Sequence, residues 1–460
     1  MKVYFDLSTS ARWSGHAVGI VRVERELGRR VLPVLGDEGG YCLFLPREGG
    51  LRLLPAEAAA QIIAGELQIR FEDGGPAIPG AGQASLRRRI RNAILRRPKL
   101  YQAIQRLRGL SFSLEQIAEV RRIEADPDAQ PAKGPIIRTI DDVAPERVPL
   151  GPDTLIVSAG LDWEYKDIRG LYRMKAKHGF QYAAVIYDLI PLIMPHYVVP
   201  AYVNLLRDYF GEVFWLADYC MSISACTQRD MYAHCERYGV PAPAADYFPL
   251  GGDLPTTLED EEGELPHALQ GKRYAIFVST IEPRKNHRTL YQAWDRCIRE
   301  GRVDPETCRL LFVGMGGWNT GDLRAEIAAN PATRDTIVTM SNISDADLRR
   351  LYEGAEFSLF PSFYEGYGLP VAEALSYGKP CISSDAGSLP EIGGDLVTYV
   401  DPHNPLAWAD AIVEAFDDRA EMARRANAIQ AQFKAPTWDA AADIFFARLT
   451  ALVQKHGAAP

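Results

Sequence analysis

"FSLFPSFYEGYGLPVAEALSYG", residues 357–378, begins as a short apolar strand and turns over two glycines, Gly366 and Gly368. It continues as a helix through Val371, Ala372, Glu373, Ala374 and Leu375, with Pro370 at the helix start. Strand, glycine turn and helix start together make an anion-binding arrangement, because unpaired N–H groups and the positive end of the helix dipole converge on the turn. A glutamate stands on each side of it, Glu365 before and Glu373 after. Carboxylates repel phosphate, so these two are expected to accept hydrogen bonds from neutral hydroxyls flanking it. A phosphate between two polyhydroxylated rings, as in a nucleotide sugar, meets that description.

Outward from this stretch, short apolar strands alternate with helical periodicity. "KVYFDLS", "TLIVSAG", "YAAVIYDL", "YCMSIS" and "YFPLG" occupy the first half, and "YAIFVST", "RLLFVG", "FSLFPS", "PCISSD" and "LVTYV" the second. Nearly continuous apolar strands separated by helices indicate parallel sheets covered on both faces. The predicted fold class is therefore α/β, with two doubly wound, Rossmann-like domains facing a central cleft. The Gly-, Pro- and acid-rich stretch 251–273 reads as the junction between them. The expected division is 1–252 for the first domain, 253–270 for a linker, 271–434 for the second domain and 435–460 for a final segment. Residues 40–150 fit the alternation poorly and are expected to hold an insertion or an elaborated part of the first domain.

With 460 residues, 47% of them hydrophobic and 24% charged, the chain is long enough for two cores, and its formal charge of −9 argues against a general nucleic-acid binder. Seven cysteines without a C-x-x-C pair suggest neither a disulfide framework nor a zinc site. The N-terminus lacks a signal-peptide pattern and no segment offers about 18 uninterrupted apolar residues, so the cytoplasm is the expected compartment. Residues 86–109 carry nine Arg or Lys and no acid, with apolar residues at helical spacing. Such a basic amphipathic stretch is a candidate for lying on an anionic membrane surface, against the plainer reading of a solvated helix pair.

Two further stretches carry chemistry. "FVSTIEPRKNHRTLYQAW", residues 277–294, ends a strand and places Arg284 and Lys285 before a helix; adjacent cations there can neutralise a diphosphate, the arginine by a forked contact and the lysine as a point charge. In the first half, a loop with Gly15 and Gly19 leads into a helix whose N-terminus presents donors from across the cleft, and GxGxxG is absent.

Together "GIVRVERELGRRV", "VSTIEPRKN", the block from Ser344 to Asp395 and the late "PTWDAAADIFFARLTALV" resemble the retaining glycosyltransferases of family four, group 1, with the GT-B fold. The resemblance covers most of 1–35 and 180–455, and it implies that 1–252 is the acceptor-side domain, 271–434 the nucleotide-sugar domain and 435–460 a helix crossing back to the first. It implies that Arg284 and Lys285 hold the donor diphosphate, and that Glu365 with the backbone of Gly366, Tyr367, Gly368 and Leu369 contacts the sugar and phosphates. It further implies that Glu373 binds ribose hydroxyls and that Gly19 offers an N–H to the β-phosphate. The implied reaction needs no metal and no cofactor, the donor being a GDP-sugar or UDP-sugar and the acceptor a glycan or lipid-linked glycan of bacterial surface polysaccharide, with mannose the first candidate sugar. The chain departs from the family at "VIYDLIPLIMPHY", residues 185–197, where Tyr187 stands in place of the histidine of a His-Asp pair. Asp188 is then a catalytic candidate, and Tyr187, His16 and His196 are candidates for sugar or acceptor contact. A sugar-nucleotide 2-epimerase is the alternative with the same architecture, and a sensor without enzymatic activity is a third class.

Overall fold

The computed structural model describes residues 1–13, 19–45, 50–71, 136–252, 265–341 and 343–456. Among the described residues, nine strands lie in the first half: β1 (Lys2–Asp6), β2 (Gly39–Leu45), β3 (Gly50–Leu54), β4 (Leu67–Arg70), β5 (Ile136–Thr139), β6 (Thr154–Ser158), β7 (Gln181–Ile186), β8 (Tyr219–Ser222) and β9 (Ala244–Tyr247). Seven form one sheet in the order β3-β2-β1-β6-β7-β8-β9, parallel except for the β2–β3 pair. Strands β4 and β5 make a separate parallel pair.

The second sheet is parallel throughout: β10 (Arg273–Val278), β11 (Cys308–Val313), β12 (Ile337–Met340), β13 (Phe357–Phe360), β14 (Cys381–Ser383) and β15 (Val397–Tyr399), in the order β12-β11-β10-β13-β14-β15. Each sheet starts in its middle and reverses direction there, between β1 and β6 and between β10 and β13. Ligands of such sheets bind outside the carboxyl ends of the strands at this reversal.

Alternation along each strand divides the cores. Val3 and Phe5 face helix Gly19–Leu35 through Val23, Leu27 and Val31, whereas Tyr4 joins Tyr182, Phe210 and Phe214 on the other face. In the second sheet Ala275 and Phe277 pack on Leu290 and Trp294, while Tyr274 and Ile276 pack on Leu351 and Tyr352. Helix Trp438–His456 returns to the first sheet, where Trp438, Ala442, Phe445 and Leu449 join the core of Val23 and Leu27. Its entry lies against the other chain crossing: Gly252 N–H donates to the Pro436 carbonyl at 2.9 Å. A Cβ on Gly251 would come within 2.5 Å of the Trp438 ring, so only glycine fits there.

The range 40–150 contributes strands to the first sheet and also holds the separate β4–β5 pair. Most of β2 and all of β3 fall within it and extend the first sheet as an antiparallel pair, with Leu45 opposite Gly50. The basic stretch 86–109 and most of the acidic junction, 253–264, lie outside the described residues. Among the described residues no helix is long and apolar enough to cross a membrane. All seven cysteines are buried and unpaired.

Candidate active site

Because β10 and β13 are neighbours, the segments that follow them meet. After β10 the chain makes a single turn, Pro283–Lys285, and Asn286 leads into helix His287–Arg299. After β13 it runs through Glu365 to Gly368, whose φ of 104° is open to glycine and starts helix Leu369–Ser376 with no side-chain cap. The two segments are bonded directly: Phe363 N–H donates to the Arg284 carbonyl at 3.0 Å, and Arg284 Nη1 donates to the Tyr364 carbonyl at 2.7 Å.

This pairing gathers the charges. Arg284 Nη1 lies 3.0 Å from Glu365 Oε2, Lys285 Nζ donates to Glu365 Oε1 at 2.7 Å, and Arg284 Nη2 lies 2.9 Å from Glu282 Oε1. Glu365 is only 6% exposed. Burial alone would raise its carboxyl, but Arg284 and Lys285 overcome that and hold it at about 2. Burial lowers Lys285 despite Glu365, and it also works against the Arg284 charge, which Glu365, Glu282 and Asp188 nevertheless stabilise. Glu365 is therefore ionised across the physiological range, a hydrogen-bond acceptor and not a proton donor.

The first sheet closes on this cluster from β7 and β8. Asp188 follows β7, and its Oδ1 accepts from Ile190 N–H at 3.0 Å. Burial raises its carboxyl, partly offset by Arg284. A Cβ on Gly366 would lie 2.7 Å from the Tyr187 carbonyl and 2.8 Å from Asp188 Cβ, so the absence of a side chain there sets how closely the two halves approach. Ser224 Oγ, which caps helix Ala225–Tyr238, also donates to the Gly366 carbonyl at 2.7 Å. Glu391 reaches across to the same helix start and accepts from the N–H groups of Ala225 at 2.8 Å and Cys226 at 2.6 Å. The Tyr364 hydroxyl donates to Asp230 at 2.8 Å.

The structure thus brings Arg284, Lys285, Glu365, Gly366 and Asp188 together. Glu373 stands apart, half-buried on its helix, its Oε2 3.4 Å from the Tyr352 hydroxyl; burial raises its carboxyl and Arg22, on helix Gly19–Leu35, lowers it. Gly19 opens that same helix, with φ of 52°. Tyr367 is buried and donates to the Leu250 carbonyl at 2.9 Å, so its side chain serves the packing and only its backbone faces the turn. The Tyr187 hydroxyl donates to the Ala159 carbonyl at 2.6 Å, which already occupies the donor expected to face a sugar. His196 sits exposed on the turn Pro195–Tyr197, its ring 4.2 Å from that of Tyr197. His16 lies outside the described residues.

Several residues at the cleft escaped sequence reasoning. Ser224, Asp230 and Glu391 make the cross-contacts above, and only the Ser-Ala-Cys-Thr cap pattern at 224–227 signalled any of them. At the carboxyl end of the first sheet Glu24 is buried, and its Oε2 accepts from Ser10 N–H at 2.6 Å. Burial, with Asp6 nearby, pushes this carboxyl up to about 8 although Ser10 and Lys166 favour its charge. Beneath it Lys166 bridges Asp6 at 2.5 Å and Asp162 at 2.8 Å, all fully enclosed.

Residues 261–433 match the family model described as Glycosyl transferases group 1. An O-antigen chain mannosyltransferase B of Escherichia coli is 35% identical over 152 residues, 33% of this chain and 39% of that protein. A serotype-specific mannosyltransferase WbdA, also of Escherichia coli, is 30% identical over 246 residues, 50% of this chain and 29% of that protein. The chain thus spans well under half the length of either relative. Two solved structures are similar in fold. The UDP-forming α,α-trehalose-phosphate synthase of Burkholderia vietnamiensis has a TM-score of 0.51 at 16% identity, over 68% of this chain and 75% of that one. Anabaena Alr3699/HepE, solved with UDP and glucose, has 0.50 at 15% identity, over 74% and 90%. Residues 261–433 thus resemble the group 1 glycosyltransferases, and the chain has the GT-B fold.

Proposed function

We propose that this chain is a retaining glycosyltransferase that moves a sugar, with mannose the first candidate, from a nucleoside diphosphate sugar to a hydroxyl of a glycan or lipid-linked glycan. The observation that carries the reading is the buried Arg284–Lys285–Glu365 cluster at the reversal between β10 and β13. Two cations beside an uncapped helix start can neutralise a diphosphate without a metal, and Glu365, ionised at neutral pH, is suited to accept hydrogen bonds from hydroxyls of the sugar. In this proposal the arriving diphosphate takes over the contacts of Arg284 and Lys285, releasing Glu365 toward the sugar. The acceptor oxygen bonds the anomeric carbon on the face that the diphosphate leaves, and the departing phosphate oxygen takes the acceptor's proton. The protein positions the partners and stabilises the developing charge. Asp188, across Gly366, is the carboxylate facing the acceptor side, and Glu373 is assigned to the ribose. The mannosyltransferase relatives support mannose and a surface polysaccharide setting.

The test is turnover with GDP-mannose and with UDP-sugars on a mannose-terminated acceptor, for wild type, Arg284→Ala and Lys285→Ala. Each variant should lose about 10²–10³-fold in kcat while its circular dichroism stays native. Near-wild-type rates in both would overturn the donor-site assignment. The anomeric configuration of the product, read by NMR, tests retention.

A further inference from the structure

Tyr187, a candidate for sugar contact by sequence, is turned away from the cleft, and the reason lies in the strand before it. Along β7, Ala183 and Val185 enter the core shared with Val23 and Leu27, whereas Tyr182, Ala184 and Ile186 enter the opposite one. Tyr187 continues that alternation one residue past the strand and joins Val185 in the first core. The next side chain, Asp188, then faces the second domain: its Cβ lies 2.8 Å and its Oδ2 3.6 Å from where a Cβ on Gly366 would stand.

The Tyr187 hydroxyl reaches a turn that is itself held in place. It donates to the carbonyl of Ala159, the residue that follows β6, and the two residues after Ala159 are clamped. A Cβ on Gly160 would collide with Thr9 Oγ1 and lie 2.5 Å from Glu24 Oε1, so there is room for glycine alone. Leu161 N–H donates to the same Thr9 hydroxyl at 2.8 Å. From the other side Thr227 Oγ1 donates to the Tyr187 carbonyl at 3.3 Å, and Ile223 N–H to the Ile186 carbonyl at 3.2 Å.

Asp188 has little else to hold it. Its Oδ1 accepts from Ile190 N–H, two residues along the same turn, and among the described residues no other hydrogen bond reaches its carboxylate. The guanidinium nearby is already engaged, since Arg284 is taken by Glu365, Glu282 and the Tyr364 carbonyl. Where the Asp188 carboxylate stands in the cleft therefore follows from where the backbone at 187–188 stands, and the buried phenol ties that backbone to the Ala159 turn. Tolerance there is small, because a displacement of about 1 Å in a reacting group can cost about 10²-fold in rate.

We propose that Tyr187 is a positioning residue: through the Ala159 carbonyl it sets the place of Asp188 in the cleft, and it touches neither sugar nor acceptor. The proposal rests on the glycosyltransferase reading and on the role given there to Asp188. The test is steady-state kinetics of the full chain with GDP-mannose and UDP-glucose as donors and a mannose-terminated acceptor, for Tyr187→Phe, Asp188→Asn and the double variant. Product is followed by mass spectrometry so that slow variants stay measurable, and rates are referred to nucleotide-binding sites counted by calorimetry with GDP and UDP. Tyr187→Phe keeps the ring and removes the hydroxyl alone. It should lose about tenfold or more in kcat with the donor KM and the nucleotide affinity unchanged. Asp188→Asn should lose more, and adding Tyr187→Phe to it should cost no further rate, because a residue that acts through Asp188 then has nothing left to place. Losses that multiply in the double variant would mean a separate contact or a general structural role and would overturn the proposal, as would a wild-type rate in Tyr187→Phe. A wild-type rate in Asp188→Asn would remove the role of Asp188 and the positioning claim with it. Wild type that binds nucleotide but transfers sugar from neither donor would overturn the glycosyltransferase reading on which both stand.

Discussion

Glu24 offers a quantitative test of how the cleft floor is built. In an unfolded chain its carboxyl titrates near 4.5, and in the folded protein burial carries it to about 8. The folded state therefore binds a proton that the unfolded state releases. The group's contribution to stability is complete below about pH 4.5 and is lost as pH rises, until it levels off near pH 8. At about 1.4 kcal/mol per pH unit, the loss across that window is on the order of 4 kcal/mol. Replacing Glu24 by Gln keeps the shape and the acceptor for Ser10 N–H and removes the titration. Neighbouring groups, chiefly Asp6, Lys166 and Ser10, remain in both proteins, so the difference between the two isolates residue 24. Calorimetric melting of wild type and Glu24→Gln should agree near pH 4.5. By pH 8 the variant should melt higher, by on the order of 10 °C at roughly 2–4 °C per kcal/mol. Parallel melting curves across the window would refute the buried, protonated carboxyl.

Glu365 has the opposite sign. Its folded value of about 2 lies below the ordinary 4.5, so its stabilisation is present above pH 4.5 and disappears as pH falls through about 2. Urea unfolding of Glu365→Gln should show a loss of roughly 3 kcal/mol at pH 7 that narrows below pH 4.5; a constant gap would contradict the ion-pair account. Gly366→Ala sets a methyl 2.7 Å from the Tyr187 carbonyl, so the halves must part. X-ray scattering should show a larger radius of gyration, and nucleotide affinity should fall by about tenfold or more. Glu391→Ala leaves the Ala225 and Cys226 N–H groups without their carboxylate and should destabilise the closed arrangement by about 1–2 kcal/mol. Faster proteolysis between the halves is the readout, and unchanged cleavage would count against the latch.

What the sequence revealed follows from how local each signal is. The apolar runs at 273–278 and 357–360 are buried on both faces and read directly as parallel strands, and Glu365 was legible because its turn and helix start are contiguous. Strands β2, β3 and β12 were not legible: β12 is four residues in a polar surround, and β3 shows its role only by pairing with β2. Glu24 falls between the apolar positions of its helix, and only tertiary packing encloses it. Cross-contacts such as Ser224 with Gly366, 142 residues apart, leave no local trace.

The return of helix Trp438–His456 to the first sheet bears on biosynthesis. Phe445 and Leu449 complete the core that Val23, Leu27, Phe248 and Leu250 begin. A ribosome adding roughly 5–20 residues per second needs ten seconds or more to pass from Leu250 to Leu449. The second sheet, whose strands and covering helices lie between those points, can mature as a unit during that interval. The first remains open along one flank, its apolar face available to chaperones, and closes only when the last helix leaves the exit tunnel.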